Sequence, residues 1–284
     1  MPEFVSSKKK PESPASAAKE EKRRNFWLHL EKLRWHIIRP LIAISLLSVA
    51  AFLNRHLLFD VIILGPKNPD FPTNALLCRI GKALSVDGLC FQDTALKIIN
   101  VNMSGQFMTH LYISAMAGLV MAIPYIIYEV WSYASFALNI KNRRSAFYTI
   151  IAGSLLFMMG VAFSYFLIVP LTVNFLGTYF VSNDVQNTIT LSSYISTVTS
   201  LVLAVGLVFE LPVIMYFLSK YGIVGPKFLT GKRRIMIVII FIVAAIITPP
   251  DVISQLMVCV PMLLLYEVSV WVAKIVWKKP VQNK

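Results

Sequence analysis

Charged residues are scarce in this chain of 284 residues. Asp, Glu, Lys and Arg make up 14% of the sequence, hydrophobic residues make up 57%, and the mean hydropathy is +0.68. Soluble domains carry about 25% charged residues, so the composition predicts an integral membrane protein instead. The net charge of +13 would suggest nucleic-acid binding in a soluble chain. Here the distribution of Lys and Arg described below explains it better, and we expect no nucleic acid as a partner.

The chain also lacks the residue patterns of enzymes and metal sites. Its four histidines have no metal-ligand spacing, and no HExxH, GxSxG, Walker or phosphate-binding glycine motif is present. The apolar stretches contain glutamates but no nucleophile paired with a base. We therefore expect no enzyme activity, no catalytic residue, no metal and no cofactor.

Six apolar stretches predict an all-α protein with six transmembrane helices, since about 18 or more such residues can cross a bilayer. They run over residues 36–53, 111–133, 146–169, 194–218, 235–247 and 252–275. The fifth stretch is short for a full span. Two prolines in the run from Thr248 to Asp251 end the fifth helix, so the fifth and sixth helices should form a tight hairpin.

Lys and Arg predict the orientation of these helices. Of the 27 Lys and Arg residues, 22 fall in the two termini and in the loops after the second and fourth stretches. Both termini are therefore expected in the cytoplasm. Residues 1–25 are rich in Lys, Glu, Ser, Pro and Ala, which predicts a disordered tail. Residues 26–277 should form the membrane domain, with residues 278–284 as a second tail.

The long loop over residues 54–106 should face outward. Its irregular start is followed by Leu76, Leu77, Ile80 and Leu84 at helical spacing, which predicts a short amphipathic helix at the membrane interface. Cys78 and Cys90 lie in the same loop, and a disulfide between them is one alternative there. Cys259, in the last stretch, is expected to be inert.

Glu210 is the only charged residue between positions 194 and 218. A carboxylate at that depth is costly, about 2.5–3.5 kcal/mol on insertion scales, and usually faces a partner or a wet cavity. A buried pair or a protonated carboxyl inside the bundle is the alternative. Glu129 and Glu267 lie nearer the predicted borders, where a carboxylate can reach water or a Lys or Arg head. Gln255 can serve as a contact between helices.

Several short motifs resemble one known family. They are His29-Leu30-Glu31-Lys32-Leu33-Arg34, Gly65-Pro66, Tyr128-Glu129-Val130-Trp131, Phe209-Glu210-Leu211-Pro212, and Thr248-Pro249-Pro250-Asp251-Val252-Ile253-Ser254-Gln255. In this order, and with six spans, the chain resembles the TatC family of the twin-arginine protein translocase. The loop over residues 54–106 most resembles the versions from Bacteroidetes-type bacteria.

The resemblance implies a fold and a function. It implies a concave, cupped six-helix bundle in the bacterial cytoplasmic (inner) membrane. It also implies binding of twin-arginine signal peptides and assembly, as an oligomer, with single-span TatA/TatB-type partners to export folded proteins, driven by the proton-motive force. Glu210 would lie on the concave face, Gln255 near a partner, and an outer-face cap would contain Pro66, Pro249, Pro250 and Asp251.

Two positions depart from the family pattern. The family's two receptor glutamates would stand at Lys32 and Asn142, within a site that also includes Glu31, Arg34 and Arg143. Two guanidinium groups favour carboxylates, and a lysine repels them. The resemblance therefore implies either a weakened signal site or one in which Glu31 has taken over. Other hypotheses are a proton- or cation-coupled small-solute transporter using Glu210, and a structural scaffold.

Overall fold

A computed structural model of the chain describes residues 14–68, 71–84, 98–137, 143–178, 188–248 and 252–277. The helices and strands are α1 (Pro14–Leu53), a first π-helix (Leu57–Ile63), a 3-10 turn (Gly65–Lys67), α2 (Pro72–Leu84), β1 (Ile98–Ile99), α3 (Gly105–Ala137), α4 (Arg143–Phe163), a second π-helix (Ser164–Ile168), α5 (Val169–Thr178), β2 (Ile189–Thr190), α6 (Leu191–Val208), α7 (Leu211–Lys220), α8 (Pro226–Gly231), α9 (Arg233–Ile247) and α10 (Val252–Val276).

Five helical stretches of the described chain are long and apolar enough to cross a membrane. They are Glu31–Leu53, Gly105–Tyr133, Phe147–Thr178, Leu191–Lys220 and Ser254–Val276. They correspond to five of the six predicted spans, and the all-α membrane fold is confirmed. The fifth predicted span is α9, which has only 15 residues and rises about 22 Å at 1.5 Å per residue.

Several helix ends follow directly from local sequence. Thr248 ends α9 in extended backbone, with φ −88° and ψ 152°, because a residue before proline is excluded from the helical region. Its hydroxyl donates to the carbonyl of Ala244 at 2.9 Å. Thr190 accepts from the amide of Ser193 at 3.4 Å and so caps the start of α6. Gly222 adopts φ +74° just after α7, a conformation that favours glycine.

The first tail differs from its prediction. Residues 14–25 are helical and form the start of α1, where the sequence predicted a disordered tail. Pro14 is tolerated in the first helical turn, and the Ala, Lys and Glu residues that follow are good helix formers. Residues 1–13 and 278–284 lie outside the described part of the chain.

The long loop contains both a predicted helix and unpredicted elements. α2 confirms the predicted short helix. Leu76 is exposed on it, whereas Asn74 and Cys78 are buried. The side chains at 77, 80 and 84 lie outside the described residues. Cys78 is disulfide-bonded and Cys259 is free; Cys90, the predicted partner of Cys78, lies outside the described residues. β1 pairs with β2 in parallel, Ile98 opposite Ile189, which the sequence did not predict.

α6 lies at the centre of the helix packing. It contacts α3 and α4, while α1 packs along α3 and α10 packs along α7 and α9. α4 and α6 approach closely through glycines. A Cβ on Gly160 would lie 3.0 Å from the Cα of Gly206, and a Cβ on Gly206 would lie 2.8 Å from the ring of Phe157. Such small residues allow helix backbones to approach closely within a membrane. Here they hold α6 against α4 a few residues before Glu210.

Candidate functional site

Glu210 lies at a break in a membrane span. α6 ends at Val208, and α7 begins at Leu211 with Pro212 in its first turn. Pro212 has no amide to donate to the carbonyl of Val208 four residues earlier, so the α-helical hydrogen-bond ladder is interrupted there. Glu210 is the residue just before α7, and its carbonyl accepts the amides of Val213 and Ile214, both at 3.0 Å. The break places the carboxylate near the positive end of the α7 dipole.

The Glu210 carboxyl group packs against α4 where that helix has no side chain. A Cβ on Gly153 would lie 3.1 Å from Oε2 of Glu210 and 3.4 Å from a methyl carbon of Ile127 on α3. Oε1 of Glu210 is buried and has no hydrogen-bond partner among the described residues. Because a buried polar atom is normally paired, this unpaired oxygen marks Glu210 as a candidate functional group. Gly153 was not identified from the sequence, since glycines in membrane helices are common.

Three of the predicted signal-contact residues lie on α1, at the start of its membrane-spanning part. Glu31, Lys32 and Arg34 are all exposed on this helix. Glu31 and Lys32 are consecutive, so they point about 100° apart around the helix. Arg143 is the first residue of α4, but its side chain, like the whole of Asn142, lies outside the described residues. The segment Glu31–Arg34 is called the recognition segment below.

Glu129 is buried, contrary to the expectation that it reaches water at a membrane border. Its side chain is 2% exposed, and Oε2 pairs with Nδ1 of His36 on α1. Oε1 accepts a hydrogen bond from the hydroxyl of Tyr125 at 2.8 Å and lies 3.8 Å from Nη1 of Arg39. The helices α1 and α3 enclose the carboxylate, and three side chains satisfy it. The sequence motif located Glu129, but nothing in it indicated that His36 and Arg39 would be its partners.

The other carboxylate near a predicted border behaves differently. Glu267 on α10 is half-exposed and accepts a hydrogen bond from Nη2 of Arg233 on α9 at 2.9 Å. This agrees with a carboxylate that meets an arginine head at a membrane border. Gln255, also on α10, donates from Nε2 to the carbonyl of Phe241 at 3.1 Å. Both residues therefore join α9 to α10.

The predicted outer-face cap is only partly within the described residues. Pro66 is buried, and its carbonyl accepts a hydrogen bond from the side chain of Asn74. Pro249, Pro250 and Asp251 lie outside the described residues. Hydroxyl groups from other helices close this region: Tyr165 donates to Ile62 at 2.7 Å and Tyr194 donates to Ile63 at 2.8 Å.

A similar contact occurs at the second π-helix. Pro170 cannot donate to the carbonyl of Phe166 four residues earlier, and the hydroxyl of Thr73 on α2 donates to that carbonyl instead. α2 is therefore tied to the third membrane span through a backbone group that the proline leaves free.

One large cavity lies between α1, α3, α4 and α6, with a volume of about 630 Å³. Its lining is apolar apart from groups such as Asn54, Tyr165 and Thr199, and it contains neither Glu210 nor another charged residue. A coupled transporter would need its ion-binding carboxylate in contact with such a space. The described residues contain no group of His, Cys, Asp and Glu able to hold a metal ion.

These features define a class: an α-helical membrane protein with several spans and a carboxylate set into a break in one of them. Comparison with known proteins narrows the class. A family profile described as "Sec-independent protein translocase protein (TatC)" matches residues 28–261. The chain belongs to the TatC family, as its motifs predicted, and is a membrane component of the Sec-independent protein translocase.

The similarity covers most of the chain. TatC from Blattabacterium sp. subsp. Periplaneta americana is 33% identical over 256 residues, which is 89% of this chain and 96% of that protein. TatC from Helicobacter pylori strain J99 is 40% identical over 172 residues, which is 61% of this chain and 69% of that protein. A crystal structure of the twin-arginine translocase receptor TatC in DDM matches with a TM-score of 0.70 and 31% identity, covering 86% of this chain and 98% of that chain.

Proposed function

We propose that this chain is the receptor and core subunit of a twin-arginine protein translocase. It binds twin-arginine signal peptides and assembles with single-span TatA/TatB-type partners, as part of an oligomer, to export folded proteins across the bacterial inner membrane with the proton-motive force. Family membership supports this function. The observation that carries it is Glu210, a partly exposed residue at a break in a membrane span, one carboxyl oxygen of which has no hydrogen-bond partner among the described residues. Such a group is suited to receiving a donor from another chain.

The charge distribution supports the orientation. In the proposed topology α9 is the fifth of six spans, both termini lie in the cytoplasm, and 22 of the 27 Lys and Arg residues lie on that side. The recognition segment and the start of α4 then face the cytoplasm, where cargo is made. The cap that contains Pro66 and the Pro249–Asp251 turn faces outward.

The recognition segment supports weakened signal binding in this chain. At the two positions where the family has glutamates, this chain has Lys32 and Asn142. The two arginines of a signal peptide would therefore meet a positive charge and a neutral amide instead of two carboxylates. Glu31 is exposed on the adjacent helix face and is the carboxylate available there. Charge-assisted contacts between a carboxylate and a guanidinium are about twice as strong as neutral ones, so restoring the glutamates should strengthen binding.

Signal-peptide binding to the full chain in detergent tests this. The double variant Lys32→Glu with Asn142→Glu should bind a twin-arginine peptide more tightly and lose the gain when both arginines of the peptide become lysine. Unaltered binding and transport in the double variant would contradict the weakened site. Glu31→Gln is the companion variant: if it binds the peptide as the parent chain does, Glu31 has not taken over.

We propose that partner proteins contact this chain at two places: the α9–α10 pair and the break between α6 and α7. Glu210, Gln255 and Glu267 are polar groups within or beside spans, and single-span partners can meet them from the membrane. Co-purification of a single-span TatA/TatB-type protein with this chain from membranes tests the assembly. Glu210→Gln should lower co-purification or transport while leaving chain accumulation unchanged; equal values for both would exclude Glu210 as a contact.

A further inference from the structure

α1 is held chiefly by its packing against α3. Its sides are largely exposed, including Leu41, Ile42, Leu46 and Val49, and it packs along α3. Near its C-terminal end, α1 lies against a glycine: a Cβ on Gly118 of α3 would lie 2.6 Å from the backbone nitrogen of Ser48. This contact fixes the separation of the two helices there. It does not fix how the N-terminal end of α1, more than ten residues away, is directed.

The cluster around Glu129 supplies the second fixed point. His36 and Arg39 both reach the same buried carboxylate of α3, and the ring of His36 also meets Tyr133 edge-on, with centroids 5.8 Å apart. His36 is 19% exposed and Glu129 is 2% exposed, so water weakens this pair much less than a surface pair. Removing either residue is costly, because the other would be left in a buried position without its charged or hydrogen-bonding partner.

The cluster lies directly beside the recognition segment. α1 is continuous from Pro14 to Leu53, and His36 follows Lys32 by four residues, which places the two on the same helix face one turn apart. Any rotation or tilt of the helix at His36 therefore moves Lys32 and its neighbours. Glu129 itself is enclosed and already paired, so it does not offer its carboxylate to an arginine of the signal.

We propose that Glu129 is a positioning residue for signal recognition: by pairing with His36 and Arg39 it directs the end of α1 that carries Glu31, Lys32 and Arg34. This inference rests on the proposed function, since it concerns the site that receives the signal peptide. The role is positional and not one of direct contact. Loss of the pair should change signal binding while the membrane domain remains folded.

Photo-crosslinking tests the proposal in the full chain in membranes. A benzoylphenylalanine in place of the exposed Trp35 captures a synthetic twin-arginine signal peptide, and crosslink yield is measured against peptide concentration. Glu129→Gln should raise the half-maximal peptide concentration roughly tenfold, the factor that corresponds to about 1.4 kcal/mol. The exchange His36→Glu with Glu129→His should recover part of that loss, because it rebuilds the pair between these two positions but not the contact of Glu129 with Arg39.

Asp60→Asn provides the matched control. It removes the carboxylate of another histidine pair, His56 with Asp60 at 3.5 Å, which is exposed and remote from the recognition segment. This variant should crosslink as the parent chain does. Thermal unfolding in detergent accompanies each measurement.

The outcomes separate the inference from the function it rests on. If Glu129→Gln crosslinks like the parent chain, Glu129 does not position the segment. If Glu129→Gln does not accumulate, His36→Gln carries the same test, and parental crosslinking in that variant overturns the inference. If the parent chain itself captures no twin-arginine peptide above the level of a twin-lysine peptide, the proposed function fails instead.

Discussion

Asn74 joins three segments of the chain at the predicted outer-face cap, and its replacement by alanine gives a graded prediction. Its side-chain nitrogen donates to the carbonyl of Pro66 at 3.2 Å and to that of Asn68 at 2.9 Å. Its side-chain oxygen accepts from Asn174 on α5 at 2.9 Å. The contacts with Pro66 and Asn174 are buried. One side chain therefore links α2, the loop before it and the third membrane span.

The magnitude follows from counting the groups left without a partner. Asn74→Ala leaves two buried groups unpaired, at about 1–3 kcal/mol each, and loses one half-buried hydrogen bond worth about 0.5–1 kcal/mol. We expect the free energy of unfolding to fall by about 2.5–7 kcal/mol. Asn174→Ala breaks only the contact between the two side chains and should cost about 1–3 kcal/mol. Asn74→Asp should cost at least as much as alanine, because its carboxylate would face two carbonyl oxygens.

The assay is unfolding of the full chain in mixed micelles by increasing SDS, followed by circular dichroism with the Cys78 disulfide kept oxidised. The three variants should fall in the order Asn174→Ala, Asn74→Ala, Asn74→Asp, from least to most destabilised. The reasoning is refuted if Asn174→Ala costs as much as Asn74→Ala, or if Asn74→Ala stays within about 0.5 kcal/mol of the parent chain, the usual range of inconsequential surface changes.

Three further predictions concern the membrane spans. Gly153→Ala places a methyl group 3.1 Å from the Glu210 carboxylate and should lower transport of a twin-arginine cargo with little loss of accumulation; full transport would show that the seat of Glu210 is not critical. Gly118→Ala puts a Cβ 2.6 Å from a backbone nitrogen of α1, so unfolding in detergent should become easier by about 1–3 kcal/mol. Gly231→Ala, with nothing within 4 Å, is its control, and equal effects of the two would contradict the close contact. Glu267→Gln breaks a half-exposed ion pair and should cost under about 1 kcal/mol, less in high salt; a larger cost that does not depend on salt would be unexpected.

Local sequence rules predicted the parts of the fold that depend on neighbours in the chain. Apolar length located the membrane spans, Pro249 ended α9 at Thr248, and the spacing of leucines located α2. The same rules did not anticipate that residues 14–25 are helical and form the start of α1. They also missed the two π-helices, whose backbone carbonyls are paired by side chains from other elements.

The sequence by itself determined that this is a membrane protein of the TatC family with a glutamate inside one span, because composition, apolar length and short motifs are local properties. Only the tertiary structure decided what surrounds each carboxylate. Glu129 meets His36 across 93 positions of sequence, and Glu210 rests on Gly153 of a different helix. No pattern along one helix specifies which face of another helix it will meet, because that choice depends on how all the helices pack together.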